Sequence, residues 1–287
     1  MGAGTFTTKA YATYSTSLGR TYDTKTSRVV GQTYTAKRID ASLDPRNFKV
    51  RECCNTKEHP NTIPVILALD VTGSMGEACS EVAASLGTIM KNLYEKFTDI
   101  EFCVMGIGDL AYDNAPIQMS QFESDIRIAE SLDKVYMEHG GGGNEYESYT
   151  AAWYMGLKRT KLDCFDKQGR KGIIITMGDE PLNPYLPKNE LNHAIDATEE
   201  AHIETDKLYE KASEKFDIFH IAVDSPMDCY MHHEKQIKSS FGELLGLNFK
   251  VSTIDNLSKT IEDCIAESVN AVPVYQNVVN ENGEISW

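Results

Sequence analysis

The chain has 287 residues, 41% of them hydrophobic, which is enough apolar material for one large α/β domain with extra segments or for two small domains. A formal charge of −15, with Lys and Arg unclustered, argues against nucleic-acid backbones and anionic membranes as partners. No stretch approaches the roughly 20 apolar residues that span a bilayer. The N-terminus, MGAGTFTTKAYATYS, lacks the apolar core of a signal peptide. Seven cysteines, odd in number and without a CxxC pair, read as reduced thiols, so the expected compartment is the cytoplasm.

Residues 1–60 are rich in Thr, Ser, Tyr, Lys and Arg, and the tyrosines at 11, 14, 22 and 34 show no helical periodicity. This texture predicts an extended polar arm and lead-in, with short strands near Val29–Val30 and Thr33–Ala36. Such an arm either docks on a partner or a sister subunit through its tyrosines, and so supports assembly, or is a mobile tail. Cys53, Cys54 and His59 do not make a zinc site, because adjacent cysteines rarely share a metal and a fourth ligand is missing.

The organising stretch is Ile63–Gly76, IPVILALDVTGSMG. Its unbroken apolar run from Pro64 to Leu69 predicts a strand buried on both faces, as in the middle of a parallel sheet. Asp70 is expected at a strand end on the surface, outside the core; Asp70, Thr72 and Ser74 then alternate with Val71 and Gly73, so an extended turn aims all three side chains at one point. A carboxylate and two hydroxyls form an all-oxygen set suited to Mg²⁺ or Mn²⁺. On spacing alone, a strand end with an N-cap serine for the next helix explains the residues equally well.

From Gly76 onward, Val82, Leu86, Ile89, Met90, Leu93 and Phe97 recur at three and four residues, which predicts a helix with one apolar stripe. Ile100–Ile107 is a second buried strand. Pro116–Phe122 alternates and starts with Pro, which suits an edge strand. Asp125–Met137 contains a short helix. Gly140–Gly143 offers a hinge, a phosphate cradle or a backbone forced close to an ion; no Lys-Ser or Lys-Thr follows, which argues against a nucleotide P-loop. Glu147–Lys161 returns to helical spacing.

Lys171–Met177 is a third buried strand, followed by Gly178, Asp179 and Glu180. Residues 188–215 are polar and largely helical. Phe216–Val223 is a fourth strand, Phe249–Ile254 a fifth, and a helix covers Ile261–Val269. Strand and helix alternate, so the expected fold is α/β: a doubly wound, mostly parallel sheet with helices on both faces and one antiparallel edge strand. Its expected parts are the arm (1–60), the α/β domain (61–272) and a C-terminal tail (273–287). In such a sheet the strand ends can meet at the switch point, gathering Asp70, Thr72, Ser74, Asn144 and Asp179.

The α/β part resembles a von Willebrand factor A domain with a metal-ion-dependent adhesion site, of an intracellular bacterial or phage type. DVTGS stands where that family has Asp-x-Ser-x-Ser; GGGGNEYES looks like its glycine-rich loop, and ITMGDEP like the strand end that usually reads Thr-Asp-Gly. Asn144 replaces the loop threonine. Met177 stands in place of the acid, whose role passes to Asp179, with Glu180 as the alternative. The resemblance implies Mg²⁺ or Mn²⁺ held by Asp70, Thr72, Ser74, Asn144 and Asp179, with Met75, Glu145 and Glu180 on a partner-binding rim.

It also implies a non-catalytic module whose protein partner supplies an Asp or Glu to the metal. The alternatives are a metal-dependent phosphohydrolase on a similar sheet, or a structural subunit of a larger assembly. Against a phosphohydrolase, Thr72 stands where that chemistry wants a second acid. His232-His233-Glu234 lacks the second His of a helical zinc-protease motif. Asp228, Cys229, His232 and His233 could hold a metal, but they fit a solvated loop better.

Overall fold

The structure, a computed structural model, describes residues 4–138, 146–224 and 229–271, apart from the side chains of Cys229 and Ala271. Gly140–Gly143, Asn144, Glu145, Asp228 and the expected tail after Pro273 lie outside them.

The N-terminal segment holds helix α1 (Thr8–Ser17) and a hairpin of β1 (Thr21–Asp23) and β2 (Arg28–Val30). Next come β3 (Arg51–Cys53), β4 (Ile63–Asp70), α2 (Gly76–Tyr94), β5 (Ile100–Ile107), β6 (Ile117–Met119) and α3 (Arg127–Lys134). After the glycine-rich loop stand α4 (Thr150–Arg159), β7 (Thr160–Leu162), α5 (Asp163–Gln168) and β8 (Gly172–Gly178). The polar stretch that follows holds β9 (Tyr185–Leu186), α6 (Lys188–Ile195), β10 (Ile203–Glu204) and α7 (Thr205–Lys215). β11 (Phe216–Asp224), α8 (Cys229–Leu245), β12 (Phe249–Thr253) and α9 (Leu257–Ala271) complete the described chain.

The central sheet has six strands in the order β12-β11-β8-β4-β5-β6. All neighbours are parallel except β5 and β6, where Ile107 faces Ile117 and Met105 faces Met119 in antiparallel register. The antiparallel strand is short and lies at the edge, as its Pro116 lead-in predicts. β4 sits between β5 and β8, so both its faces are covered. Val65, Leu67 and Leu69 enter one apolar cluster with Val82, Leu86 and Met90 of α2 and Ile261 and Ile265 of α9. Ile66 and Ala68 enter the other, with Trp153 of α4, Ala212 of α7 and Phe241 of α8. The period-2 pleat thus divides one continuous apolar run between two cores. That division makes the run uninterrupted in sequence.

The extended arm expected at the N-terminus is not what forms. Thr7 caps α1 by accepting from Ala10 N at 3.1 Å. Tyr11 and Ser15, one helical turn apart, are its buried positions. Phe6, Tyr11, Val29, Tyr34 and Leu43 belong to the same apolar cluster as Leu67 and Met90. Tyr11 Oη donates to Ala83 O at 2.7 Å and Tyr34 Oη to Cys79 O at 3.1 Å, so the tyrosines satisfy the outer face of α2. Arg20 grips both oxygens of Asp133 at 2.8 and 2.6 Å, and Arg28 pairs with Glu81. A Cβ at Gly87 would stand 2.3 Å from Ser27 O, so this glycine lets the hairpin turn lie directly on α2. No strand forms at Thr33–Ala36; only an isolated bridge joins Ala36 to Tyr136. The physical reason is that these aromatics, from a helix, a hairpin and the loops around them, converge on α2 and on one another across elements, Tyr11 meeting Phe6 at 5.5 Å and Tyr22 at 6.0 Å, so their spacing along the chain carries no single period.

Candidate metal centre

Three segments meet at the carboxyl end of the sheet: the turn after β4, residues 146–149 leading into α4, and the turn after β8. At the first, the Thr72 backbone N–H and Oγ1 both donate to Asp70 Oδ1, at 2.9 and 2.5 Å. The chain then turns through a 3₁₀ segment, Gly73–Met75, into α2. Across the gap, Ser74 Oγ donates to Asp179 Oδ1 at 3.0 Å. Tyr149 Oη donates to Asp70 Oδ2 at 2.8 Å and accepts from Glu180 N at 3.3 Å. Asp70, Thr72, Ser74 and Asp179 are therefore brought together; Asn144 and Glu145 lie outside the described residues.

Two expectations need correction. Met75, assigned to the partner-binding rim, is 1% exposed and packs in the core, because the 3₁₀ turn rotates it under α2. Asp70 has the look of a surface strand end in sequence, yet it is 0% exposed. The loops from β8 and α4 close over it, and its two carboxylate oxygens are taken by Thr72 and Tyr149. Met177 is buried in the α2 cluster beside Leu69, so the acid that faces Ser74 stands two residues later, at Asp179.

The chemistry of this donor set fits a hard divalent cation. Each hydroxyl gives its proton to a carboxylate, which leaves the lone pairs of Thr72 and Ser74 for an electrophile. The carboxylates are also short of positive charge. Burial, followed by repulsion from Asp179, pushes Asp70 up despite its three hydrogen bonds. Burial and then the charge of Asp70 push Glu147 up strongly. Asp113 is raised to about 6, mainly by burial. Asp109 Oδ2 and Glu147 Oε2 are buried without a hydrogen-bond partner. Among the described residues, no group of three His, Cys, Asp or Glu side chains is arranged to hold an ion by itself, so a site here depends on the hydroxyls.

Residues unremarked in the sequence hold this arrangement. Tyr149 packs edge-on against His220 at 5.0 Å, and His220 stacks on Phe241 at 3.6 Å. His220 is fully buried, which lowers its pKa to about 3 and keeps it neutral; its Nδ1 lies 2.9 Å from Thr176 Oγ1. Asn183 clamps the β8 turn to α4: Nδ2 donates to Thr150 Oγ1 at 2.5 Å, and Oδ1 accepts from Thr150 N at 3.2 Å. The only hint of Tyr149 in sequence is a large aromatic where a helix begins, and that pattern is common. His232 and His233 lie on α8, and His233 Nε2 is 4.0 Å from Glu180 Oε2. Cys53 is buried against Glu101 and belongs to the opposite end of the sheet.

No family model matches the chain, and no curated protein matches its sequence. Among solved structures, the pilus adhesin SpaC from Lactobacillus rhamnosus GG aligns with TM-score 0.49 and 11% identity, over 75% of this chain and 31% of that chain. This chain thus spans about a third of that adhesin's length. The vWF domain of the type V pili tip protein Mfa5 from Porphyromonas gingivalis aligns with TM-score 0.46 and 13% identity, over 73% of this chain and 95% of that one. The D319A mutant of the PilB minor pilin from Streptococcus sanguinis aligns with TM-score 0.46 and 12% identity, over 72% and 61%. Likenesses this distant decide neither function nor partner.

Proposed function

We propose that the chain is a protein-binding module of the von Willebrand factor A type, non-catalytic, in which a Mg²⁺ or Mn²⁺ ion at the Asp70–Thr72–Ser74–Asp179 cluster captures a partner's Asp or Glu carboxylate. The observation that carries this is the pairing of hydroxyl with carboxylate on both sides of the gap: Thr72 on Asp70 and Ser74 on Asp179. Thr72 and Ser74 would hold the ion directly, with Asn144 as a further oxygen donor from the loop. Asp70 and Asp179 would act by orienting those hydroxyls and the waters around them. Bound there, the ion supplies a Lewis-acidic position for an oxygen from outside. Glu180, partly exposed, and Glu145 would tune which carboxylate is accepted.

Beside the cluster, a cleft of about 750 Å³ begins at Pro181 and Leu182 and runs past Glu204, Asp206 and Glu243, giving a partner a surface next to the ion. Within the same proposal the module works in the cytoplasm, where its thiols stay reduced, and contributes to an assembly.

Calorimetry with Mg²⁺ and Mn²⁺ tests the metal, and a pull-down from the native host tests the partner. Wild type should bind the ion and Ser74→Ala should not. Capture should be lost in EDTA, return with Mg²⁺, and fail in Asp179→Ala. Equal metal affinity in wild type and Ser74→Ala would sink the site. Capture that survives both chelation and Asp179→Ala would place recognition elsewhere.

A further inference from the structure

The two hydroxyls of the candidate metal centre lie in one short loop, and that loop is clasped at its base. Thr72 and Ser74 stand between Asp70, the last residue of β4, and Cys79, in the first turn of α2. Cys79 Sγ donates to Asp70 O at 3.2 Å, across nine positions, and so closes the loop. On the β8 side the register of β4 ends at Leu69 and Met177, so Asp70 stands beyond it. Cys79 is 1% exposed. Burial, followed by the charges of Asp70 and Asp179, raises its pKa, so it keeps the proton that it donates.

The N-terminal segment braces the same helical turn. Tyr34 Oη donates to Cys79 O at 3.1 Å. Tyr34 is buried, and its φ of 53° lies in the left-handed region, where a bulky side chain is rare. The chain thus holds a strained backbone at the residue whose hydroxyl reaches the clasp, which points to a role beyond filling space.

We propose that Cys79 is a positioning residue of this centre: its thiol fixes the loop that carries Thr72 and Ser74, and Tyr34 holds the clasp in place. The proposal rests on the metal-binding reading above and adds a control to it. Two neutral hydroxyls grip an ion only when their spacing is fixed in advance, so a loop free to open at its base binds less tightly. The affinity of the centre is thereby tied to the docking of the N-terminal segment on α2.

The test titrates Mn²⁺ by calorimetry into full-length wild type, Ser74→Ala, Cys79→Ala, Cys79→Ser, Tyr34→Phe and Ile89→Val, with thermal midpoints measured in EDTA. Ile89, buried farther along the same helix, controls for a loss of stability that leaves the clasp intact. Cys79→Ala should weaken Mn²⁺ binding about tenfold. Cys79→Ser keeps a donor on the same β-carbon and should recover most of that loss. Tyr34→Phe should weaken binding in the same direction by less, and Ile89→Val should bind as wild type despite a lower midpoint. Unchanged affinity in Cys79→Ala, with binding lost in Ser74→Ala, would overturn the inference and leave the metal site standing. A loss that Cys79→Ser does not recover, or that Ile89→Val reproduces, would show that Cys79 only supports the fold, again overturning it. Wild-type affinity in Tyr34→Phe would strike the N-terminal link. Absence of Mn²⁺ binding by the wild type would remove both the site and the inference.

Discussion

Tyr149 Oη lies 2.8 Å from Asp70 Oδ2, joining residues 79 positions apart in the chain. The bond occupies the one carboxylate oxygen that Thr72 does not reach, and it fixes Asp70 on a site face walled by His220 and Phe241. Tyr149→Phe keeps the ring and removes only the donor. It should cost about 1–3 kcal/mol of stability in EDTA, because a buried acceptor is left unmet. Urea denaturation at fixed pH measures this, and a variant as stable as wild type would show that water replaces the hydroxyl.

Gly178 is required by the same tyrosine. A Cβ there would stand 1.9 Å from Tyr149 Oη and 2.4 Å from two ring carbons. The ring is pinned from behind, so it cannot give way cheaply. Gly178→Ala should destabilise by more than about 3 kcal/mol, and Tyr149→Ala should relieve much of that cost in the double variant. A double-mutant cycle checks the coupling; simple additivity would mean that the alanine is accommodated by backbone movement.

The N-terminal segment should behave as part of the domain. Tyr11 is 3% exposed and hydrogen-bonded to α2, so Tyr11→Ala should cost about 3–5 kcal/mol. Deleting residues 1–45 should expose the outer face of α2 and yield an insoluble or molten protein. A soluble, cooperatively melting truncation would restore the independent arm that the sequence suggests.

Glu101 offers a pH test far from the candidate metal centre. It is 1% exposed on β5, accepts from Cys53 Sγ at 3.1 Å, and burial raises its pKa from 4.5 to about 7. An acid raised in the folded state binds its proton more tightly there than in the unfolded chain. Its folding contribution is therefore best below about pH 4.5 and falls as pH rises towards about 7. Glu101→Gln should match wild type near pH 4 and exceed it by up to about 3 kcal/mol near pH 8. Denaturation curves across that range decide it, and parallel pH profiles for the two proteins would count against the assignment.

Much of the sheet is legible in sequence because its signal is local. A strand buried on both faces is apolar at nearly every position, so Pro64–Leu69, Ile173–Met177 and Phe216–Val223 announce themselves despite Thr176, Asp217 and His220. Helix α2 does the same through its three-and-four spacing. The Asp70–Thr72 part of the alternation is local too, since its hydrogen bonds close within two residues. The N-terminal segment misleads because its aromatics meet α2 and one another across separate elements, so no single period links them in sequence.

What the sequence by itself determined is therefore the set of elements, their mostly parallel arrangement and one oxygen-rich strand end. Only the tertiary structure decided that Asp70 is buried, that Met75 turns into the core, and that Asp179 faces Ser74. The same holds for Tyr149 and Asn183, which close the site from a distant part of the chain. Hydrogen bonds and charge repulsion act over a few ångströms of space, whatever the separation in sequence. A residue whose partner lies 31 to 105 positions away leaves no periodic trace of it.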